Sequence, residues 1–114
     1  MIVDQHLDYD VINALKEVME EDFTFLIETY FQDSSNRITG LRTAVSAKDT
    51  DAIRRAAHSM KGSCSNLGAL RLASLCSALE IHAMSASVEM LERDINTIAD
   101  EFAIVKKLLQ EFIQ

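Results

Sequence analysis

Apolar residues near the end of the chain recur in alternating steps of four and three, and this periodicity constrains the fold more than any other feature. The residues are Leu91, Ile95, Ile98, Phe102, Val105, Leu109 and Phe112. Such spacing places one apolar seam along an α-helix, as in helices that pack lengthwise against neighbours. It predicts a long helix over residues 88–112, with Ser87 as the N-cap.

Four earlier stretches also have helical periodicity and are separated by short polar joints. They cover residues 7–19, 22–47, 50–67 and 69–83. The chain has no proline and only three glycines, which favours long helices over the tight turns of a sheet. Short joints between long amphipathic helices make neighbours antiparallel. The sequence therefore predicts an all-α fold, an antiparallel up-down four-helix bundle with a short extra N-terminal helix, and one domain over residues 1–114.

Particular residues are expected to mark the ends of these helices. Asp8 or Asp10 is the expected N-cap of the first helix, and Asp49 that of the third. Gly68 suits the left-handed position that ends a helix. Gly40 interrupts the second helix, and a gap in that helix or a close contact between helices would explain it.

The third predicted helix has two different faces. On a helical wheel its expected core stripe consists of Ile53, Ala56, Met60, Cys64 and Leu67. His58 points away from this stripe, and its neighbours on the wheel are Arg54, Arg55, Lys61, Gly62 and Ser65. Residues 52–79 contain no Asp or Glu, although the chain has a formal net charge of -7. An exposed imidazole among cations suits the binding of a phosphoryl group.

The residues around His58 resemble the histidine-containing phosphotransfer (HPt) domain of bacterial phosphorelays. The resemblance covers residues 57–80: Ala57, then His58-Ser-Met-Lys61-Gly62, then Gly68, and finally Leu72, Leu75, Leu79 and Glu80. It implies a stand-alone HPt protein with the four-helix fold. It also implies that His58 accepts a phosphoryl group on Nε2 from a receiver-domain aspartate, typically of a hybrid sensor kinase. The group then passes to the aspartate of a response regulator.

Residues near His58 are assigned roles that follow from helical spacing. Lys61 lies one turn away and can neutralise phosphoryl oxygens. Gly62, also one turn away, presents no side chain and leaves clearance for the partner. Candidate partner-binding residues on the same face are Arg54, Arg55, Ser59 and Ser65. No metal or other cofactor is expected in this chain, since the receiver supplies the carboxylates and Mg²⁺.

Several classes of function are excluded by what the sequence lacks. No Gly-rich nucleotide loop is present, so autokinase activity and enzymatic use of ATP are not expected. The basic window has no interleaved aromatic residues and lies in an acidic chain, which argues against nucleic-acid binding. Neither a membrane-length apolar run nor a signal peptide is apparent. The expectation is a cytoplasmic monomer that does not associate with membranes.

Some alternatives stay open at this stage. The bundle could be a non-phosphorylated adaptor that binds a receiver or another signalling protein.

Cys64 and Cys76 are expected to be buried reduced thiols, with a disulfide as the alternative, and the ligand spacing does not suit zinc. His82 is expected at the boundary of the core and His6 in a frayed terminus. The identity of the partners, the pathway and the direction of phosphate flow do not follow from the sequence.

Overall fold

A computed structural model describes residues 6–114 of the chain. They form five helices and no strand: α1 (Tyr9–Met19), α2 (Asp22–Ser46), α3 (Thr50–Asn66), α4 (Leu70–His82) and α5 (Val88–Gln110). The all-α prediction is confirmed, and each helix begins and ends within about two residues of its predicted bounds. Residues 1–5, whose composition argued against a signal peptide, lie outside the described range.

The four longer helices form a closed ring of contacts. α2 packs against α3, α3 against α4, α4 against α5, and α5 returns to α2, while α1 packs on α2. The seam predicted for α5 lines the core from Leu91 to Leu109, and Phe112 lies half-buried just beyond the helix. In the range 6–114, no helix has the length and apolarity needed to cross a membrane.

The predicted N-caps are present. The Asp8 carboxylate, rather than that of Asp10, accepts hydrogen bonds from the first turn of α1. The Asp49 carboxylate accepts from Ala52 N at 3.0 Å, and the Ser87 hydroxyl accepts from Met90 N at 3.1 Å. These side chains satisfy backbone N–H groups that lack an intrahelical partner, and so they fix where the helices begin.

The segment before α1 is held against the bundle, so the expectation that His6 lies in a frayed terminus was wrong. His6 Nδ1 lies 2.6 Å from Oε2 of Glu101, a residue only 4% exposed. Arg71 Nε lies 3.3 Å from the other oxygen of the same carboxylate. Leu7 is fully buried. A buried carboxylate requires partners, and Glu101 therefore ties the N-terminal segment to α4 and α5.

Gly68 ends α3 in the left-handed region, with φ of 75°. Its carbonyl accepts a hydrogen bond from Asp8 N at 2.8 Å. A Cβ at this position would lie 3.1 Å from Val11 Cβ and 3.2 Å from the Asp8 backbone oxygen. The position therefore combines a backbone conformation that favours glycine with a close approach of the segment that leads into α1.

Replacing Gly68 with alanine is expected to lower the free energy of unfolding by about 2 kcal/mol, because the left-handed backbone and the crowded Cβ both disfavour a side chain. Chemical denaturation measures this change. Gly40→Ala is the matched control, because Gly40 lies inside α2 and its Cβ would meet nothing within 4 Å. That variant should gain up to about 1 kcal/mol. Equal effects of the two substitutions would contradict the conclusion that the backbone and the crowding at Gly68 disfavour a side chain.

Neither explanation predicted for Gly40 holds. α2 runs through this position without a gap, and no neighbouring atom approaches the place of a Cβ. Contacts within the chain therefore give no reason for a glycine here.

Candidate functional site

α3 presents its core stripe to the bundle and His58 to solvent. The buried residues of this helix and its C-cap are Ile53, Ala57, Met60, Cys64 and Leu67, each at most 4% exposed. The predicted stripe included Ala56 and left out Ala57. Ala56 is partly buried and packs against the core, whereas Ala57 is fully buried. α3 packs against both α2 and α4, so its buried face is wide enough to include Ala57.

His58 is exposed as predicted, with 64% of its side chain accessible, and it contacts a residue of the next helix. Its Nδ1 lies 2.9 Å from Oε2 of Glu80. Lys61 Nζ donates to the other oxygen of the same carboxylate, Oε1, also at 2.9 Å. Glu80 is 21% exposed. One carboxylate from α4 therefore holds both the imidazole and the ammonium group of α3.

This contact selects one tautomer of the imidazole. A carboxylate accepts hydrogen bonds and does not donate them. In neutral His58 the ring proton therefore sits on Nδ1 and is donated to Glu80, which leaves the lone pair on Nε2. The hydrogen bond from Lys61 is the main reason that the pKa of Glu80 is lowered, with a further contribution from His58. The carboxylate of Glu80 therefore stays ionised to a lower pH than that of an isolated glutamate.

Replacing Glu80 with glutamine is expected to remove this tautomer preference. The amide can turn either its oxygen or its NH₂ group toward Nδ1, so both tautomers become populated. Long-range ¹H–¹⁵N spectra of the imidazoles measure the ratio. His6 provides an internal control, since its Nδ1 is bound by a different carboxylate, Oε2 of Glu101 at 2.6 Å, and His6 is far from Glu80 in sequence. An unchanged His58 pattern would show that Glu80 does not set the tautomer.

The role of Glu80 was missed in the sequence analysis. Glu80 was noted only as the last residue of the resembling motif. A signal was present, because Glu80 is the first acidic residue after the acid-free window of residues 52–79. The contact joins residues that are 22 positions apart, and helical periodicity does not give the register between two helices.

The predicted cationic strip is partly neutralised. Asp51, the acidic residue just before the window, lies 2.8 Å from Arg54 and 2.9 Å from Arg55. The hydrogen bond from Arg54 is the main cause of a lowered pKa at Asp51. Lys61 is paired with Glu80. The face around His58 therefore consists of ion pairs rather than isolated cations.

The other predicted site residues lie on the exposed side of α3. Gly62, Ser59 and Ser65 are all exposed. A Cβ on Gly62 would meet nothing within 4 Å. At Gly62 no side chain protrudes from the surface beside His58, and the space there is open, as the clearance prediction requires. Across residues 6–114, no group of three or more His, Cys, Asp or Glu side chains is arranged to hold a metal ion.

A groove of about 370 Å³ runs beside this surface, and we call it the α2–α3 groove. It combines an apolar floor with a polar rim. Its lining residues are Leu15, Met19, Leu26, Thr29, Tyr30, Asp33, Arg37, Ser63, Asn66 and Leu67. Asn66, which lines the groove, lies one helical turn beyond Gly62, so the groove adjoins the open face of α3 toward its C-terminus.

Comparisons with known proteins agree with this geometry. Residues 26–114 match the family model of the Hpt domain. HptB from Pseudomonas aeruginosa has a similar solved structure, with a TM-score of 0.88 and 40% identity over 93% of this chain and 92% of that chain. A putative histidine-containing phosphotransfer protein from rice has a TM-score of 0.82 at 16% identity, over 96% of this chain and 87% of that chain, and supports the fold alone.

A curated rice protein (Oryza sativa subsp. japonica), named pseudo histidine-containing phosphotransfer protein 2, is also similar. It is 27% identical over 119 residues, which cover 99% of this chain and 79% of the relative.

Proposed function

Because the chain belongs to the Hpt domain family, we propose that it is a phosphorelay intermediate with His58 as its phosphoacceptor. His58 takes a phosphoryl group from the aspartate of a receiver domain, typically of a hybrid sensor kinase. It then passes the group to the aspartate of a response regulator. The observation that carries the proposal is the exposed imidazole whose Nδ1 is bound by Glu80, since this leaves Nε2 available to attack.

The chemistry follows from the groups around the ring. The Nε2 lone pair attacks phosphorus, the bond from phosphorus to the receiver's aspartate breaks, and the carboxylate leaves. Positive charge develops on the imidazole, and Glu80 stabilises it from the Nδ1 side. Lys61 can turn from Glu80 toward the phosphoryl oxygens, where negative charge gathers in the transition state. The receiver supplies Mg²⁺, and no ATP site or autokinase activity is part of the proposal.

The docking surface in this proposal combines the open face of α3 with the α2–α3 groove. Gly62 leaves room beside His58, while Arg54, Arg55, Ser59 and Ser65 contact the receiver around it. Gly40 lies one turn beyond Arg37 of the groove rim on α2. Clearance for the same partner would explain a helical glycine that nothing within the chain requires.

The arrangement of the helices, the localisation and the oligomeric state are also part of the proposal. The ring of contacts among the four longer helices fits an antiparallel up-down bundle, with α1 as the extra helix. We place the protein in the cytoplasm as a monomer, because receiver domains act there and the docking surface is complete in one chain.

A non-phosphorylated adaptor is the alternative function. One relative is named a pseudo histidine-containing phosphotransfer protein, and this name favours the alternative. An adaptor would bind a receiver equally well when His58 is replaced, and it would accept no label. The presence of an exposed histidine with an oriented ring favours the phosphocarrier.

Transfer from a labelled receiver tests the proposal. The protein is mixed with a receiver domain phosphorylated on its aspartate, in the presence of Mg²⁺, and label on each protein is followed over time. We expect label on this chain that is lost in acid and stable in base, as a phosphoramidate requires. Several receivers are compared in order to find the cognate partner. Binding without label from any of them would favour the adaptor.

Replacing Lys61 with alanine is expected to slow transfer by about tenfold, since one charged donor to the phosphoryl oxygens is lost. The free energy of unfolding should fall by less than about 1 kcal/mol, because the Lys61–Glu80 pair is partly exposed. Lys107→Ala, at an exposed lysine of α5, is the control. Equal transfer rates for the two variants would make Lys61 an ordinary surface lysine.

A further inference from the structure

Two oppositely charged side chains on the rim of the α2–α3 groove stand without a partner. Asp33 and Arg37 are four residues apart on α2, line the groove and are both exposed. An acid that precedes a base by four positions is the favourable order for an ion pair on a helix. Within residues 6–114, however, neither side chain makes an ion pair or a hydrogen bond. Both charges are therefore free to meet groups of another molecule.

The other cations of α2 and α3 are already bound within the chain. Each of them has an acceptor on its own helix or on a neighbouring one. They are Arg42, Arg54, Arg55 and Lys61, and their acceptors are Asn96, Asp51 and Glu80. In the described part of these two helices, Arg37 alone has no acceptor, so pairing within the chain does not account for its charge.

Arg37 lies level with the proposed phosphoacceptor. Cys64, which like Cys76 is a buried free thiol as predicted, has its Sγ 3.2 Å from the Tyr30 hydroxyl, and this contact sets the register of α2 against α3. In the antiparallel arrangement, seven positions forward from Tyr30 correspond to seven positions back from Cys64. The first step leads to Arg37 and the second to the residue before His58. A receiver that reaches His58 therefore meets α2 at the level of Arg37.

The groove has an apolar end and a charged end. Leu15, Met19 and Leu26 line the apolar end and pack against the core. Asp33 follows Leu26 by seven residues on α2, which is about two helical turns, and Arg37 follows one turn later. The rim therefore presents an apolar surface, then a negative charge, then a positive charge, in a fixed order.

We propose that Asp33 and Arg37 select among receivers by the order of their charges. The accepted receiver presents a basic group to Asp33 and an acidic group to Arg37, about 6 Å apart along α2, and an apolar side chain to the far end of the groove. This selection rests on the proposed function, because it names the chemistry of the partner at the docking surface. A receiver with the two charges in the reverse order meets like charges at both positions and is rejected.

Binding of non-phosphorylated receivers tests this selection without any transfer step. The probe is the receiver domain that binds the wild-type chain most tightly among those compared, and titration calorimetry measures its Kd. Arg37→Glu and Asp33→Lys should each raise Kd by about tenfold, because each sets a like charge against the partner. Asp33→Arg combined with Arg37→Asp should raise Kd further, although the net charge stays at -7.

The matched control exchanges another exposed acid and base with the same spacing. Glu89→Arg combined with Arg93→Glu makes this change on α5, a helix that does not pack against α3. It should change Kd by less than about twofold, since charges outside the interface are screened by salt. Thermal unfolding checks the fold of each variant. If a reversal unfolds the chain, Arg37→Gln removes the charge at similar size and should still weaken binding.

Two results would overturn the selection: an unchanged Kd after the exchange on α2, or an equal loss after the exchange on α5. The outcome is separable from that of the proposed function. A chain that binds receivers in this charge-dependent way and accepts no label refutes the phosphocarrier and leaves the selection standing. A chain that accepts label, but whose receiver binding is the same in all the α2 variants, keeps the phosphocarrier and refutes the selection.

Discussion

Replacing His58 with glutamine is expected to reduce phosphoryl transfer by more than about 10³-fold, because the nucleophile itself is removed. The fold should persist, since His58 is 64% exposed and loses one surface contact with Glu80. That loss should change the free energy of unfolding by less than about 1 kcal/mol. Transfer of label from a phosphorylated receiver measures the first effect, and thermal unfolding measures the second.

The chain contains suitable controls for this experiment. His6 and His82 also place Nδ1 against a carboxylate, but their side chains are only 20% and 33% exposed. His82→Gln should therefore transfer at close to the wild-type rate. Label that persists in His58→Gln, or that survives acid, would identify another acceptor and refute the assignment.

A glutamine in place of Gly62 is expected to stabilise the fold and yet slow transfer by about tenfold or more, because misplacing the partner by about 1 Å is costly. The stabilisation should be up to about 1 kcal/mol, since glycine is the poorer residue inside an exposed helix. The Cβ has open space around it, so the added side chain meets no atom of this chain. It projects instead into the space that a docked receiver would occupy.

Two further variants complete this test. Gly62→Ala should gain similar stability and lose less activity, because it adds a single methyl group. Ala103→Gln places the same side chain on an exposed position of α5, a helix that does not pack against α3, and should leave transfer unchanged. A Gly62→Gln protein that transfers as fast as wild type would show that this glycine does not provide clearance.

Helix bounds, caps and the exposure of His58 could be predicted from the sequence because each depends on residues close in the chain. The periodicity that placed α5 and the aspartate that caps α3 are local signals. Contacts between elements could not be predicted in the same way. Glu80 reaches His58 from another helix, and His6 reaches Glu101 over 95 positions. The burial of Ala57, which the predicted stripe left out, has the same origin, because a second neighbouring helix widens the buried face.

Glu80 has a consequence for the lifetime of the phosphorylated state. A ring phosphorylated on Nε2 that keeps its Nδ1 proton is a cation. It leaves phosphorus as neutral imidazole, which is a much better leaving group than the imidazolate anion released by an unprotonated ring. The carboxylate 2.9 Å from Nδ1 stabilises that protonated ring. Under the proposed function, the group that orients His58 for attack would therefore also labilise the P–N bond afterwards. A carrier built in this way would favour rapid exchange in both directions over storage.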